Sequence, residues 1–214
     1  MIVSGAPSLD NAKSEEVLAL EVLAERFGLP GEPFVLVTLH PETLDPAASQ
    51  RTLQLIWSGL ERHRAPLVFT AANADAAGRA LNQAIEALAA KHPGRVRVAG
   101  TLGTQGYFSA MHHALAMIGN SSSGIIEAAS FGTPVIDIGP RQSGREHGNN
   151  VIHVPFEPAA IDRAIAGIWR SDRPRRFASK NLYVSGTRGA GAAIAQALAT
   201  LRIDAPLIRK LIAY

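Results

Sequence analysis

The chain has 214 residues, 47% of them hydrophobic and 18% charged, with 19 Gly, 13 Pro and no Cys. This suits one large globular domain, or one and a fraction, with ample core, and it excludes a disulfide framework and thiolate chemistry. The formal charge of +3 is dispersed apart from Arg170 to Arg176 and Arg209-Lys210, so the basic stripe of a nucleic-acid groove is missing while a small anionic ligand fits. No apolar run reaches membrane-spanning length and no signal pattern opens the chain. A cytoplasmic protein that engages neither nucleic acid nor membrane is the expectation.

In chain order, Ile2 to Pro7 reads as a strand and turn, and a helix is expected from Ser14 to Phe27, stopped by Gly28-Leu29-Pro30. Phe34 to Leu39 is a continuous β-rich run ended by His40-Pro41. Asp45-Pro46 has the form of an N-cap followed by proline at the first helical position, and Leu53, Ile56, Trp57 and Leu60 continue at helical spacing. Leu67 to Thr70 is the next strand, followed by an alanine-rich helix from about Ala74 to Lys91. Arg95 to Val98 is a short strand, Tyr107 to Leu115 a helix, Ala116 to Ile118 a strand, and Ser122 to Ser130 a helix. Strands over Pro134 to Ile138 and Val151 to Val154 precede a helix from about Pro158 to Trp169. Helices over Ala192 to Leu201 and, as an amphipathic tail, Leu207 to Tyr214 complete the pattern. Strands alternating with helices over this length predict an α/β fold, a doubly wound parallel sheet covered on both faces.

Open parallel sheets bind ligands beyond the carboxyl ends of their strands. His40, Asn73 with Asp75, Thr101-Leu102, Ser121-Ser122, and Arg141-Gln142 stand at five successive strand ends. The segment Gly119-Asn120-Ser121-Ser122-Ser123-Gly124-Ile125-Ile126-Glu127 combines a strand end, a hydroxyl-rich turn and a helix start. Helix starts present amide donors, serines add hydroxyls, and small residues let a phosphate approach. Glu127, about two turns further on, has the chemistry to accept hydrogen bonds from a ribose diol. The segment reads as a nucleotide diphosphate site, or alternatively as serines capping a helix beside a solvated acid.

Those segments, taken in order with Gly132 to Glu146 (GTPVIDIGPRQSGRE), resemble the C-terminal half of the UDP-N-acetylglucosamine 2-epimerases. Gly5 to Asp10 resembles that family's handover between its two domains. The GNSSSG and RQSGRE pair points to the hydrolysing branch; the non-hydrolysing branch typically has a DSGG-type turn in place of Asn120 to Ser123. The resemblance implies a Rossmann-like domain forming the C-terminal half of a two-domain glycosyltransferase-B-type fold, with UDP held mainly by this half. It assigns His40 to the diphosphate region and to catalysis, Ser121 and Ser122 to phosphate, Glu127 to ribose and Arg141 to UDP. Asn73 falls near the nucleotide, and Leu102 lies where backbone meets uracil. In some relatives Arg79 and Thr101 fall where a feedback nucleotide sugar binds.

The implied reaction is elimination followed by hydration, releasing UDP and an N-acetylmannosamine-type sugar, as in sialic acid-type sugar biosynthesis. Residues 1–30 are then an interdomain segment and helix, 31–185 the UDP-binding domain, and 186–214 helices crossing towards an N-terminal domain not found in this sequence. The partners are a UDP-sugar substrate and that missing domain. A homo-oligomer is compatible with the chain, and neither a cofactor nor a metal enters. As a UDP-binding half, the chain is expected to be inactive alone. Two other functions fit the same residues: the donor-binding half of a UDP-sugar glycosyltransferase, and a non-catalytic nucleotide-binding module.

Overall fold

The computed structural model describes residues 2–14, 16–41, 46–72, 76–169, 180–184 and 189–203. Six strands form one sheet: β1 (Val35–Thr38), β2 (Leu67–Thr70), β3 (Val96–Ala99), β4 (Ala116–Gly119), β5 (Val135–Ile138) and β6 (Val151–Val154). Their spatial order is β3-β2-β1-β4-β5-β6, and every neighbouring pair is parallel. The helices are α1 (Ser8–Ser14), α2 (Leu20–Phe27), α3 (Pro46–Leu60), α4 (Ala76–Lys91), α5 (Gly103–His113), α6 (Ser122–Ile126), α7 (Pro158–Ile168) and α8 (Ala190–Thr200). The expected doubly wound α/β architecture is therefore present. Among the described residues no helix is long and apolar enough to cross a membrane.

Strand side chains alternate between two cores. Val35, Val37 and Leu39 join Leu53, Ile56, Leu81, Ile85, Ile161 and Ile165 from α3, α4 and α7 on one face. Phe34 and Leu36 point the other way, onto Leu23, Met111 and Ile125 from α2, α5 and α6. Burial on both faces explains why the inner strands β1, β2, β4 and β5 read as unbroken apolar runs, while the edge strands β3 and β6 expose their central residues. Each fully buried Leu, Ile or Phe contributes about 1.5–3 kcal/mol, so the two cores together fix the sheet's register.

Three local expectations differ from the structure. Residues 2–6 form no strand, and the Ala6 amide instead donates to the Tyr183 carbonyl at 2.9 Å. The helix expected from Ser14 to Phe27 begins only at Leu20, as α2, because α5 takes over the backbone before it, and Ser14 is instead the last residue of α1. Leu18 N–H donates to Ser109 Oγ at 2.9 Å, His113 Nε2 lies 2.8 Å from Leu18 O, and Gln105 Nε2 donates to Glu16 O at 3.1 Å. Those groups cannot also serve a helical ladder. The helix from Ser122 to Ser130 is α6 followed by a 3-10 turn over Ala128–Phe131, ended by Gly132 at φ 63°. Asp45 and the tail from Leu207 to Tyr214 lie outside the described residues.

The strand order reverses between β1 and β4. The chain runs outward from β1 through β2 to β3, then returns to place β4 on β1's other side. Loops leaving β1 and β4 diverge there, which opens a crevice at the carboxyl edge. Gly119 makes the close approach possible: its φ is 145°, and a Cβ there would lie 2.0 Å from Thr38 O.

Candidate functional site

Asn120, 3% exposed, stands at the reversal point immediately after β4. Its Oδ1 accepts from His40 N–H at 2.8 Å, and its Nδ2 donates to His40 O at 2.9 Å. The Asn120 carbonyl accepts from Arg141 Nη1 and from Gln142 Nε2, both at 2.9 Å. Three strand ends, those of β1, β4 and β5, are thus joined through one residue. His40 and Arg141 are close enough that the guanidinium, after burial, pushes the imidazole below the ordinary histidine value of 6.5. His40 is therefore neutral at pH 7. Its Nδ1 and Gln142 Oε1 are buried with no hydrogen-bond partner among the described residues.

A chain of hydroxyls crosses the floor beside this cluster. Thr70 Oγ1 donates to Thr38 Oγ1 at 3.1 Å, and Thr38 Oγ1 lies 3.3 Å from Tyr107 Oη. Tyr107 Oη lies 2.7 Å from Ser123 Oγ, which is 2.8 Å from Ser121 Oγ. Burial pushes the Tyr107 hydroxyl pKa up, so it remains a neutral donor and acceptor. Ser121 also caps α6, accepting from Ser123 N–H at 3.4 Å. Because α6 is only five residues long, its dipole is small. The polar groups at this strand edge are therefore the hydroxyls and Arg141 rather than a strong helix field.

Beside the hydroxyl chain opens a cleft of about 630 Å³, lined by Thr70, Gly100 to Thr104, Tyr107, Phe108, Ser122, Ser123, Glu127, Ser8 and Asn11. It contains Leu102, Ser122 and Glu127, together with Thr101, but not His40, Ser121 or Arg141. The expected residues therefore fall into two adjoining groups linked by Ser121–Ser123 and by Asn120. Glu127, 8% exposed, ends α6. Burial pushes its pKa up, against the hydrogen bond it accepts from Ser8 Oγ at 2.6 Å. Asn73 lies outside the described residues; its neighbour Ala72 is held by Asn82, whose Oδ1 accepts from Ala72 N–H at 2.8 Å. Arg79 is an exposed residue of α4 and does not line the cleft.

Further out along the carboxyl edge, His153 Nδ1 of β6 lies 2.8 Å from Asp137 Oδ2 of β5. Burial pushes Asp137 up, and the His153 hydrogen bond opposes it. Among the described residues no group of three or more His, Asp or Glu is arranged to hold a metal ion. Sequence reasoning missed Ser8 and Tyr107, which reach the site from α1 and α5. It also missed the two-sided grip of Asn120, which lies within the quoted motif but whose partners are 80 and 21 residues away.

A family model described as UDP-N-acetylglucosamine 2-epimerase matches residues 1–199. The chain belongs to that family. A hydrolysing GDP/UDP-N,N'-diacetylbacillosamine 2-epimerase of Campylobacter jejuni is 42% identical over 118 residues, 55% of this chain and 31% of that protein. A hydrolysing UDP-N,N'-diacetylbacillosamine 2-epimerase of Legionella pneumophila is 27% identical over 98% of this chain and 54% of its own length. The fold matches the UDP-GlcNAc 2-epimerase of Methanocaldococcus jannaschii, solved in complex with UDP-GlcNAc and UDP, with a TM-score of 0.68. The identity there is 15%, over 92% of this chain and 54% of that one. The chain thus spans about half the length of these relatives, or less, and its fold corresponds to one half of the glycosyltransferase-B-type architecture expected from the sequence.

Proposed function

We propose that this epimerase-family chain supplies the UDP-binding half of a hydrolysing UDP-2-acetamido-sugar 2-epimerase. The observation that carries the reading is that His40 and Arg141 meet at Asn120, next in sequence to the linked Ser121 and Ser123 hydroxyls, beside a cleft lined by Ser122, Ser123 and Glu127. Uracil would lie along the backbone near Leu102, ribose at Glu127, and the diphosphate at Ser121, Ser122, Arg141 and His40, with Asn73 nearby. The hydrolysing relatives support this branch, and their names favour N,N'-diacetylbacillosamine as the sugar, whereas the family model's description favours N-acetylglucosamine.

In the reaction, a base removes the proton from sugar C2 while the C1–O bond to UDP breaks, leaving a C1=C2 glycal. Water then adds its hydroxyl to C1 and a proton to C2 with inverted configuration. The part this chain performs is leaving-group stabilisation. Charge growing on the departing diphosphate is met by the Arg141 guanidinium, the serine hydroxyls and the His40 imidazole, groups already fixed before reaction. His40, neutral at pH 7, can hydrogen-bond the diphosphate or take up a proton beside it.

The proton-moving carboxylates and the sugar pocket belong to the N-terminal half. On this reading residues 31–185 are the UDP-binding body, 1–30 the interdomain segment, and 186–214 the side that meets the other half. The exposed Leu198, Leu201 and Ile203 support that last assignment. The test is sugar release from UDP-N-acetylglucosamine and from its diacetylbacillosamine counterpart, by this chain alone and with a separately produced N-terminal half. Release only with both halves is expected; binding of UDP without release under any pairing contradicts the enzymatic reading.

A further inference from the structure

We propose that Asn120 is a positioning residue that sets His40 at a fixed distance from Arg141, gripping the His40 peptide with its side chain and the guanidinium with its own carbonyl. This rests on the reading that His40 and Arg141 meet the diphosphate, and it assigns a role to a residue that touches neither nucleotide nor sugar in that reading. The geometry is two-sided. One amide side chain satisfies both the N–H and the C=O of His40, at 2.8 and 2.9 Å, which locks the peptide orientation of the loop leaving β1. The carbonyl of the same residue receives Arg141 Nη1 and Gln142 Nε2 from the segment after β5. Its amide donates to Thr38 O at 3.2 Å, anchoring the whole arrangement to the last residue of β1.

Only an asparagine side chain makes this grip, because it carries an acceptor and donors on one short planar group. Aspartate keeps the acceptor for His40 N–H but sets a second oxygen against His40 O; alanine removes both bonds. Neither change touches the Asn120 carbonyl. Arg141 therefore keeps its anchor while His40 is released, and the variants act on the relation between the two groups rather than on either alone. A preorganised pair of anion-facing groups loses its advantage when one of them must be ordered on binding.

The test uses this 214-residue chain with Asn120→Ala, Asn120→Asp, His40→Ala and the Asn120→Ala/His40→Ala double variant. UDP affinity is measured by calorimetry, fold by near-ultraviolet circular dichroism and thermal midpoint, and His40 titration by NMR. Asn120→Ala is expected to weaken UDP about tenfold, equivalent to ~1.4 kcal/mol. Its His40 titration is expected to move back towards the ordinary value, and the double variant to bind no worse than His40→Ala alone. UDP affinity within twofold of the parent, or losses from the two single variants that simply add, overturns the proposal. If Asn120→Ala does not fold, Asn120→Asp carries the same readouts; loss of fold in both assigns Asn120 to the fold and overturns the positioning role. A parent chain that folds but takes up no UDP contradicts the nucleotide reading itself, and the His40 titration then decides the grip by itself.

Discussion

Glu127 accepts a 2.6 Å hydrogen bond from Ser8 in a position only 8% exposed, and its folded-state pKa lies above the ordinary value of 4.5. The cost of burying its charge is therefore absent below the ordinary value and grows as pH rises through the folded one. Glu127→Gln, which keeps an oxygen for Ser8, should raise the thermal midpoint near neutral pH and leave it unchanged near pH 4. If Glu127 holds ribose as proposed, the same substitution removes charge-assisted hydrogen bonds of about 1.5–3 kcal/mol each, so UDP affinity should fall roughly 10- to 100-fold. Calorimetry together with thermal melts checks both halves; a loss of stability at neutral pH with affinity intact contradicts the assignment. His40 has the opposite shift, below 6.5, so the unliganded fold loses stability as pH falls through that value. A diphosphate arriving beside the imidazole restores its affinity for a proton. UDP binding near pH 6 should therefore take up protons, seen as heats that differ between buffers of different ionisation enthalpy. His40→Ala should remove that component, and an unchanged buffer dependence contradicts it.

Single elements carry the next level of constraint. At Gly119, alanine would meet Thr38 O in a backbone conformation of φ 145° that L residues rarely adopt. Gly119→Ala should lower unfolding stability in denaturant by about 3 kcal/mol or more, and a cost under ~1 kcal/mol contradicts the close β1–β4 approach. Asp10 of α1 accepts from Ala190 N–H at 3.0 Å and Gly191 N–H at 2.7 Å, capping α8 from 180 residues away. Asp10→Ala should cost about 1 kcal/mol and speed hydrogen exchange at the first turn of α8; protected amides there in the variant contradict the cap. The inner strands β1, β2, β4 and β5 were legible because each is an apolar run buried on both faces, and the edge strands β3 and β6, whose central residues are exposed, as short β-branched runs between turn residues. His40, Ser121, Ser122 and Arg141 were legible as site candidates because a parallel sheet points its strand ends to one edge. The break before α2 was hidden, since it depends on Ser109, Gln105 and His113 of α5. Ser8, Tyr107 and the grip of Asn120 were hidden for the same reason: only packing brings them to the site. A helix start also reads alike whether one turn or three follow, so the small dipole of α6 was not visible in the Ser122–Ser130 pattern.

For the whole molecule, the parallel sheet, the reversal between β1 and β4, and the two adjoining groups of polar residues meet at one carboxyl edge. The chain belongs to the epimerase family and spans about half its relatives' length, which supports the proposal that the chemistry lies where this edge meets a second half. On the proposed function, what this chain does by itself is hold the leaving group. Three charge-assisted contacts, less the cost of association, leave micromolar to millimolar binding. The decisive measurement is a calorimetric titration of the folded chain with UDP, with UMP as the control lacking the second phosphate. One-to-one uptake in that range, clearly weaker for UMP, is the predicted result. Equal affinity for UDP and UMP, or no uptake of UDP by folded protein, would contradict a diphosphate site at His40, Ser121, Ser122 and Arg141.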